Sequence, residues 1–109
     1  MDVLKELRKV NEKRSVEGFQ VELKDWSLPT WGNAVAGEVG EMCNIIKKAN
    51  RGDTLPNFKE DLGKEIADVI IYLDLLAARE GISIENAIVQ KFNEVSDRVK
   101  CDIKLIQKH

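Results

Sequence analysis

Apolar residues recur every three or four positions along most of this chain, and no segment alternates apolar and polar residues as a strand does. The spacing predicts four helices, over about residues 2–24, 31–49, 57–80 and 84–107. The first helix is expected to bend near residues 15–18. The third helix is apolar on several sides, which predicts a buried position. Short connections between the later helices favour an all-α fold, an antiparallel four-helix bundle.

Capping residues mark the ends of these helices. Thr30 is expected to cap the second helix and Ser83 the fourth. Asn57 would open a capping box with Glu60 at the start of the third helix. Gly81 is its expected terminator, because glycine adopts the left-handed conformation without strain. The fourth helix would then carry an apolar stripe formed by Ala87, Ile88, Phe92, Val95, Val99, Ile103 and Ile106.

Length and charge narrow the classes of protein to consider. The 109 residues predict a single domain, residues 1–109, with apolar surface left over that favours a homodimer or homotetramer. A total of 17 basic and 19 acidic side chains gives a formal charge of −2, which argues against nucleic acid or an anionic membrane as a partner. No apolar run approaches the roughly 20 residues of a membrane span, and the charged first residues do not resemble a signal peptide. A cytoplasmic location is therefore expected.

Two pairs of acidic residues lie within the most apolar stretches of the chain. Glu38 and Glu41 form the first pair, and Glu65 and Asp68 form the second. Residues three apart in a helix share a face, so each pair presents two carboxylates side by side. One such pair is common on a solvated helix face, but two in apolar helices need a counter-charge, which a hard divalent cation supplies. The pattern predicts a site for Mg2+, which Mn2+ could replace.

Cysteine and histidine do not extend this set of ligands. Cys43 and Cys101 lack the spacing of a metal or redox site and are predicted to be buried free thiols. His109 is the last residue and is not a predicted ligand. Ligation by oxygen alone favours magnesium or manganese over iron or zinc.

Gly37 and Gly40 interrupt the second helix next to the first acidic pair. Each costs about 1 kcal/mol relative to alanine in a helix. This cost suggests that a neighbouring helix or a ligand comes close to the backbone there.

Three stretches carry a family pattern. Residues 26–41 read WSLPTWGNAVAGEVGE, residues 65–74 read EIADVIIYLD, and residues 91–98 read KFNEVSDR. They resemble the MazG-like nucleotide pyrophosphohydrolases of the all-alpha NTP pyrophosphatase superfamily, whose signature is Glu-x-x-Glu, a spacer, then Glu-x-x-Asp. The similarity covers roughly residues 19–100, and the four acids match the signature.

The resemblance implies a Mg2+-dependent hydrolase that cleaves nucleoside triphosphates, often deoxynucleotides, to the monophosphate and pyrophosphate. It also implies assembly as a dimer or tetramer and a role in house-cleaning of the nucleotide pool. Glu38, Glu41, Glu65 and Asp68 would be the catalytic and metal-binding residues. Glu41 could orient or deprotonate the attacking water, and no covalent intermediate is required.

Several basic residues and one tyrosine are candidates for phosphate contacts. Tyr72 follows Asp68 by four residues and shares its face, so its hydroxyl could reach a phosphate, or it could be a core aromatic. Each basic candidate could equally be a solvated surface cation. The basic candidates are Lys91, the strongest, followed by Lys47, Lys48 and Arg98.

Aromatic and amide side chains are candidates for recognition of the nucleoside. Trp26 and Trp31 precede the first acidic pair and could stack on a base, although core or interface positions are commoner for tryptophan. Asn33 and Asn93 could contact a base edge, a sugar hydroxyl or a phosphate, or lie on a helix surface.

Two other functions stay open at this point. One is a phosphoribosyl-ATP pyrophosphohydrolase, which shares the bundle and the acid pattern by resemblance. The other is a non-catalytic helical dimerisation or regulatory module that keeps the acids for structure alone. Nucleic-acid binding through the fourth helix is weakly supported, because Glu94, Asp97 and Asp102 interrupt its basic face.

Overall fold

The computed structural model describes residues 1–106, which form four α-helices and one 3-10 turn and contain no strand. This confirms the all-α prediction. The 3-10 turn, Leu23–Asp25, lies between the first two helices. The helices are α1 (Val3–Phe19), α2 (Leu28–Asn50), α3 (Phe58–Arg79) and α4 (Ile84–Arg98).

The first helix is shorter than predicted. α1 ends at Phe19 because Gln20 adopts the left-handed conformation, with a φ of 59°, and its N–H donates to the carbonyl of Val16 at 3.1 Å. The Ser15 hydroxyl donates to the carbonyl of Val21 at 2.8 Å and holds the turn that follows. Residues 15–18 are part of this continuous helix and the chain turns at Gln20, so the predicted bend and the predicted continuation to residue 24 are both wrong.

The capping predictions are confirmed for the end of α3 and the start of α4, but not for the start of α2. Ser27, not Thr30, caps α2 by accepting from the Thr30 N–H at 3.2 Å, so the helix begins three residues earlier than predicted. α3 begins after Asn57 as predicted, but the Asn57 side chain makes no capping hydrogen bond. Gly81 follows the end of α3 with a φ of 69°, and Ser83 caps α4, both as predicted.

The core of the protomer lies where α2, α3 and the 3-10 turn meet. Trp31, near the start of α2, is 1% exposed and packs with Leu75, near the end of α3. Its indole N–H donates to the carbonyl of Leu23 at 2.8 Å, which satisfies the polar end of this buried side chain. Contact between opposite ends shows that α2 and α3 run antiparallel.

A buried polar network fastens α1 to α3. Asp74 is 2% exposed and accepts from Arg8 Nε at 2.9 Å and from Asn11 Nδ2 at 3.1 Å. Asn11 Nδ2 also donates to the carbonyl of Ile71 at 3.0 Å. Ion pairing and hydrogen bonding compensate the cost of burying the carboxylate. The network aligns α1 antiparallel to α3 and brings its C-terminal half beside the second acidic pair.

The fourth helix lies apart from the other three. It makes slight contact with them, and the radius of gyration is 16.6 Å, above the roughly 13 Å expected for a compact domain of this length. One chain therefore does not form the closed four-helix bundle that the sequence predicts. The apolar stripe of α4, which includes Ile88 and Phe92, lines an open groove of about 700 Å3.

α4 is also shorter than predicted. It ends at Arg98 because Lys100 adopts a φ of 58° and the Cys101 N–H donates back to the Ser96 carbonyl at 2.8 Å. The next residues fold back along the helix, where the Leu105 N–H donates to Asn93 Oδ1 at 2.8 Å. The prediction that the helix continues beyond residue 98 is therefore wrong. Its predicted last residue, 107, and the terminal histidine lie outside the described residues.

Some predicted burial is absent from the single chain. Ile66, Ile70 and Leu73 on α3 are 40–44% exposed, so α3 is less buried than its composition predicts. Cys43 is an exposed free thiol, which corrects its predicted burial, whereas Cys101 is half-buried. No helix within residues 1–106 combines the length and apolar character needed to cross a membrane.

Candidate functional site

Three acidic side chains converge where α2 and α3 pass each other. Glu38 from α2 and Glu65 and Asp68 from α3 each place one carboxylate oxygen within 4.8 Å of the others. The antiparallel pairing brings residues far apart in sequence to the same level of the two helices. All three are half-buried, so water only partly screens their charges. Such a set of oxygens suits a hard divalent cation.

Glu41, the fourth predicted ligand, lies at the edge of this cluster. It is exposed and outside the group of three converging oxygens. Its carboxylate is nevertheless close to those of Glu38 and Glu65, and it raises the pKa of both through its negative charge and through side-chain hydrogen bonding. Direct ligation by Glu41 stays a prediction.

Two of the clustered acids, Glu38 and Glu65, have raised pKa values. Burial raises the pKa of Glu38 above its ordinary value of 4.5, and the negative charges of Glu41, Asp68 and Glu65 raise it further. Burial also raises the pKa of Glu65, with further contributions from Glu41 and Asp68. Like charges in a partly desolvated site disfavour ionisation, and a bound cation removes that penalty.

The environment of the Glu65 carboxylate indicates whether a cation fits this site. Its Oε2 atom is buried and has no hydrogen-bond partner among the described residues. A buried carboxylate oxygen without a partner is costly, and a cation at the centre of the cluster would satisfy it. The residues present therefore fit a divalent cation bound by oxygen.

A pocket of about 200 Å3 opens beside the acids, between α1, α2 and α3. Glu38 and Asp68 line its inner side together with Tyr72, so the structure brings Tyr72 to the acids as predicted. We call it the acid pocket. The opposite wall comes from α1 and includes Arg14 and Phe19, which the sequence analysis did not single out. No feature of the sequence distinguishes Arg14 from the other basic residues of α1.

The remaining candidates on α2 and its lead-in lie in different settings. Lys47 and Glu41 line a shallow groove along α2, whereas Lys48 is half-buried. Trp31 is a core residue, one of the alternatives predicted for it, and offers no exposed face to a base. Trp26 is half-buried against it, with ring centroids 4.5 Å apart.

Three predicted positions on α2 face open space: Asn33, Gly37 and Gly40. Asn33 is exposed. A Cβ added to Gly37 or Gly40 would meet nothing within 4 Å among the described residues. A neighbouring helix of the same chain therefore does not explain these glycines.

The candidates on α4 are not beside the acids of their own chain. Lys91 pairs with Glu94 at 3.5 Å and lines the groove of α4. Asn93 Nδ2 donates to the carbonyl of Leu105 at 2.9 Å, so both ends of its amide bind the C-terminal segment. Arg98 is exposed in the last turn of α4. Their roles as substrate contacts stay predictions.

Comparison with known proteins identifies the family. The family model for the MazG nucleotide pyrophosphohydrolase domain matches residues 27–100, which include all four acids and helices α2, α3 and α4. α1 lies outside the matched segment. Searches of curated proteins and of solved structures returned no significant match. Since the matched segment spans well over half of the chain, the protein belongs to the MazG nucleotide pyrophosphohydrolase domain family.

Proposed function

We propose that this protein is an Mg2+-dependent hydrolase that converts nucleoside triphosphates to the monophosphate and pyrophosphate. The observation that supports this most directly is the convergence of Glu38, Glu65 and Asp68, in which the buried Glu65 Oε2 atom has no hydrogen-bond partner within residues 1–106. In a chain of this family, that geometry is suited to a metal-assisted attack of water on a phosphorus atom.

The acidic residues would have two different roles in the reaction, metal binding and activation of water. Glu38, Glu65 and Asp68 would hold the cation, which when bound supplies positive charge to phosphate oxygens and lowers the pKa of a coordinated water. Glu41 lies outside the converging group and is exposed, so its carboxylate is available to orient the attacking water and accept its proton.

The reaction would break one phosphoanhydride bond. Water attacks the α-phosphorus, the bond to the bridging oxygen of the β-phosphate breaks, and pyrophosphate leaves. Tyr72, in the wall of the acid pocket, could donate its hydroxyl to a phosphate oxygen as the negative charge shifts. We further propose deoxynucleotides as substrates, house-cleaning of the nucleotide pool as the role, and the cytoplasm as the location.

Assembly as a homodimer or homotetramer is part of this proposal. α4 exposes Ile88 and Phe92, and α3 exposes Ile66 and Ile70, so one chain presents two apolar surfaces. An amphipathic helix gains most of its stability from packing its apolar face, and within residues 1–106 α4 makes only slight contact with the other helices. A second copy would cover these surfaces and could bring Lys91, Asn93 and Arg98 towards the acids of its neighbour.

The test is release of pyrophosphate from each canonical ribo- and deoxynucleoside triphosphate and from phosphoribosyl-ATP, with Mg2+ and with EDTA. We expect turnover that requires Mg2+ and that Glu38→Gln reduces by about 100-fold or more. Glu17→Gln is the matched control, because Glu17 is exposed on α1 and does not line the acid pocket. Turnover confined to phosphoribosyl-ATP would assign the second activity considered above. No turnover and no response to metal would leave a helical interaction module.

A further inference from the structure

Arg14 is a cation in the wall of the acid pocket. Among the residues of the described chain that line this pocket, it carries the one positive charge, opposite Glu38 and Asp68. Arginine has five N–H donors in a planar fork that matches carboxylate and phosphate oxygens in pairs. An arginine at this position, beside a proposed phosphate site, is therefore suited to bind phosphate oxygens.

Arg14 makes no hydrogen bond or ion pair with any residue in positions 1–106, in contrast to Arg8 and Lys9 of the same helix. Arg8 binds Asp74 at 2.9 Å, and Lys9 binds Glu6 at 3.1 Å. The guanidinium fork of Arg14 is thus available to a ligand. Once Glu38 and Asp68 hold a cation, their negative charges are compensated. Arg14 can then bind an anionic ligand instead of these carboxylates.

The backbone that carries Arg14 is held on both sides. Three residues earlier, Asn11 is 3% exposed and donates to Asp74 and to the carbonyl of Ile71. One residue later, the buried Ser15 donates to the carbonyl of Val21. These hydrogen bonds hold the face of α1 that borders the pocket in place. The backbone of Arg14 is therefore fixed relative to the pocket.

We propose that Arg14 binds the phosphate chain of the substrate and that α1 thereby forms part of the active site. This inference rests on the proposed function, and it assigns a role to a helix that lies outside the family match at residues 27–100. A triphosphate carries more negative charge than one divalent cation offsets, so a second cation stabilises it. At about 200 Å3 the pocket is smaller than the roughly 300 Å3 at which sites for whole small molecules begin, so it suits the charged end of the nucleotide.

The experiment measures binding without turnover. The probes are an α,β-methylene deoxynucleoside triphosphate, which cannot be cleaved at the reacting bond, and inorganic pyrophosphate, each titrated calorimetrically with Mg2+ present. We expect Arg14→Gln to weaken binding of the analogue by about 10- to 100-fold, as loss of a charge-assisted contact does. Arg14→Lys should be intermediate, because it keeps the charge and loses the fork. Lys13→Gln, one residue away and not lining the pocket, should leave binding unchanged.

The pattern across bases separates the possible outcomes. A similar loss for all four bases, with pyrophosphate binding also weakened, supports a phosphate contact. A loss that depends on the base, or unchanged binding in Arg14→Gln, overturns the proposal. If the wild type binds the analogue through Arg14 but hydrolyses no triphosphate, the proposed function fails and the role of Arg14 stands. If the wild type binds neither probe, both fail.

Discussion

Glu38 and Asp68 face each other from antiparallel helices, with carboxylate oxygens within 4.8 Å, and no basic side chain within residues 1–106 is bonded to either. Both acids also line the acid pocket, with Arg14 on its opposite wall. Packing of α2 against α3 holds like charges together at this level, and that arrangement is costly without a counter-ion. The spacing of these acids underlies the predictions on metal binding and pH.

Metal should stabilise the folded protein through the acid cluster. At a Mg2+ concentration 100 times its dissociation constant, the free energy of unfolding should rise by about 2.7 kcal/mol, because the cation binds the folded state alone. Glu65→Gln should abolish that gain, since it removes the negative charge of the carboxylate whose Oε2 atom has no hydrogen-bond partner within residues 1–106. Thermal unfolding with Mg2+ and with EDTA measures both. An equal gain in wild type and variant would show that Mg2+ binds elsewhere.

The metal-free protein should lose stability as the pH rises through the titration of Glu38. Its pKa is raised in the folded state above the ordinary 4.5, so above pH 4.5 the folded state binds more protons than the unfolded state. The free energy of unfolding therefore falls with rising pH until the raised folded-state pKa is passed, and then levels off for this group. Glu38→Gln should remove that share of the slope.

Denaturant unfolding in EDTA at several pH values compares the two proteins. The stability of Glu38→Gln relative to wild type should increase from pH 4.5 upwards and then become constant. A difference that stays the same at every pH would contradict the raised pKa.

The buried network between α1 and α3 should contribute strongly to stability. Asp74→Ala should lower the free energy of unfolding by about 2–4 kcal/mol, because Arg8 and Asn11 lose their carboxylate acceptor and keep only a backbone carbonyl each. The lower part of the usual range for buried pairs is expected, since the Arg8 side chain is 33% exposed. Asp53→Ala is the matched control, because Asp53 pairs with Arg51 in an exposed loop and should cost about 1 kcal/mol or less. Urea unfolding measures both, and equal losses would contradict the network's role.

The apolar stripe of α4 should mediate assembly of the protein. We expect the wild type to sediment as a dimer or tetramer and the double variant Ile88→Glu with Phe92→Glu to sediment as a monomer, because charged residues cannot be buried in an apolar interface. Gln90→Glu provides the control, since Gln90 is exposed on α4 and does not line the groove. Sedimentation velocity at several protein concentrations distinguishes the outcomes. A monomeric wild type would exclude this role for the stripe.

Local patterns in the sequence located the helices and identified three acids that the fold brings together. Helical spacing located all four helices, Ser83 and Gly81 marked helix ends correctly, and the two acidic pairs pointed to the site where Glu38 and Asp68 meet. Each of these features depends on interactions within a few residues, such as a cap or one face of a helix. Short-range periodicity is enough to detect them.

Tertiary packing decided how these elements combine. The ion pair of Asp74 with Arg8 aligns α1 with α3 and places Arg14 in the acid pocket, although the paired residues are 66 positions apart. The placement of Trp31 in the core and of α4 apart from the other three helices likewise follows from packing between distant segments. The sequence by itself determined which segments are helical and which acids share a face, because both properties are local. Only the tertiary structure decided which basic residue lines the pocket beside the acids. That placement depends on contacts between distant segments, and helical periodicity does not identify the partners in such contacts.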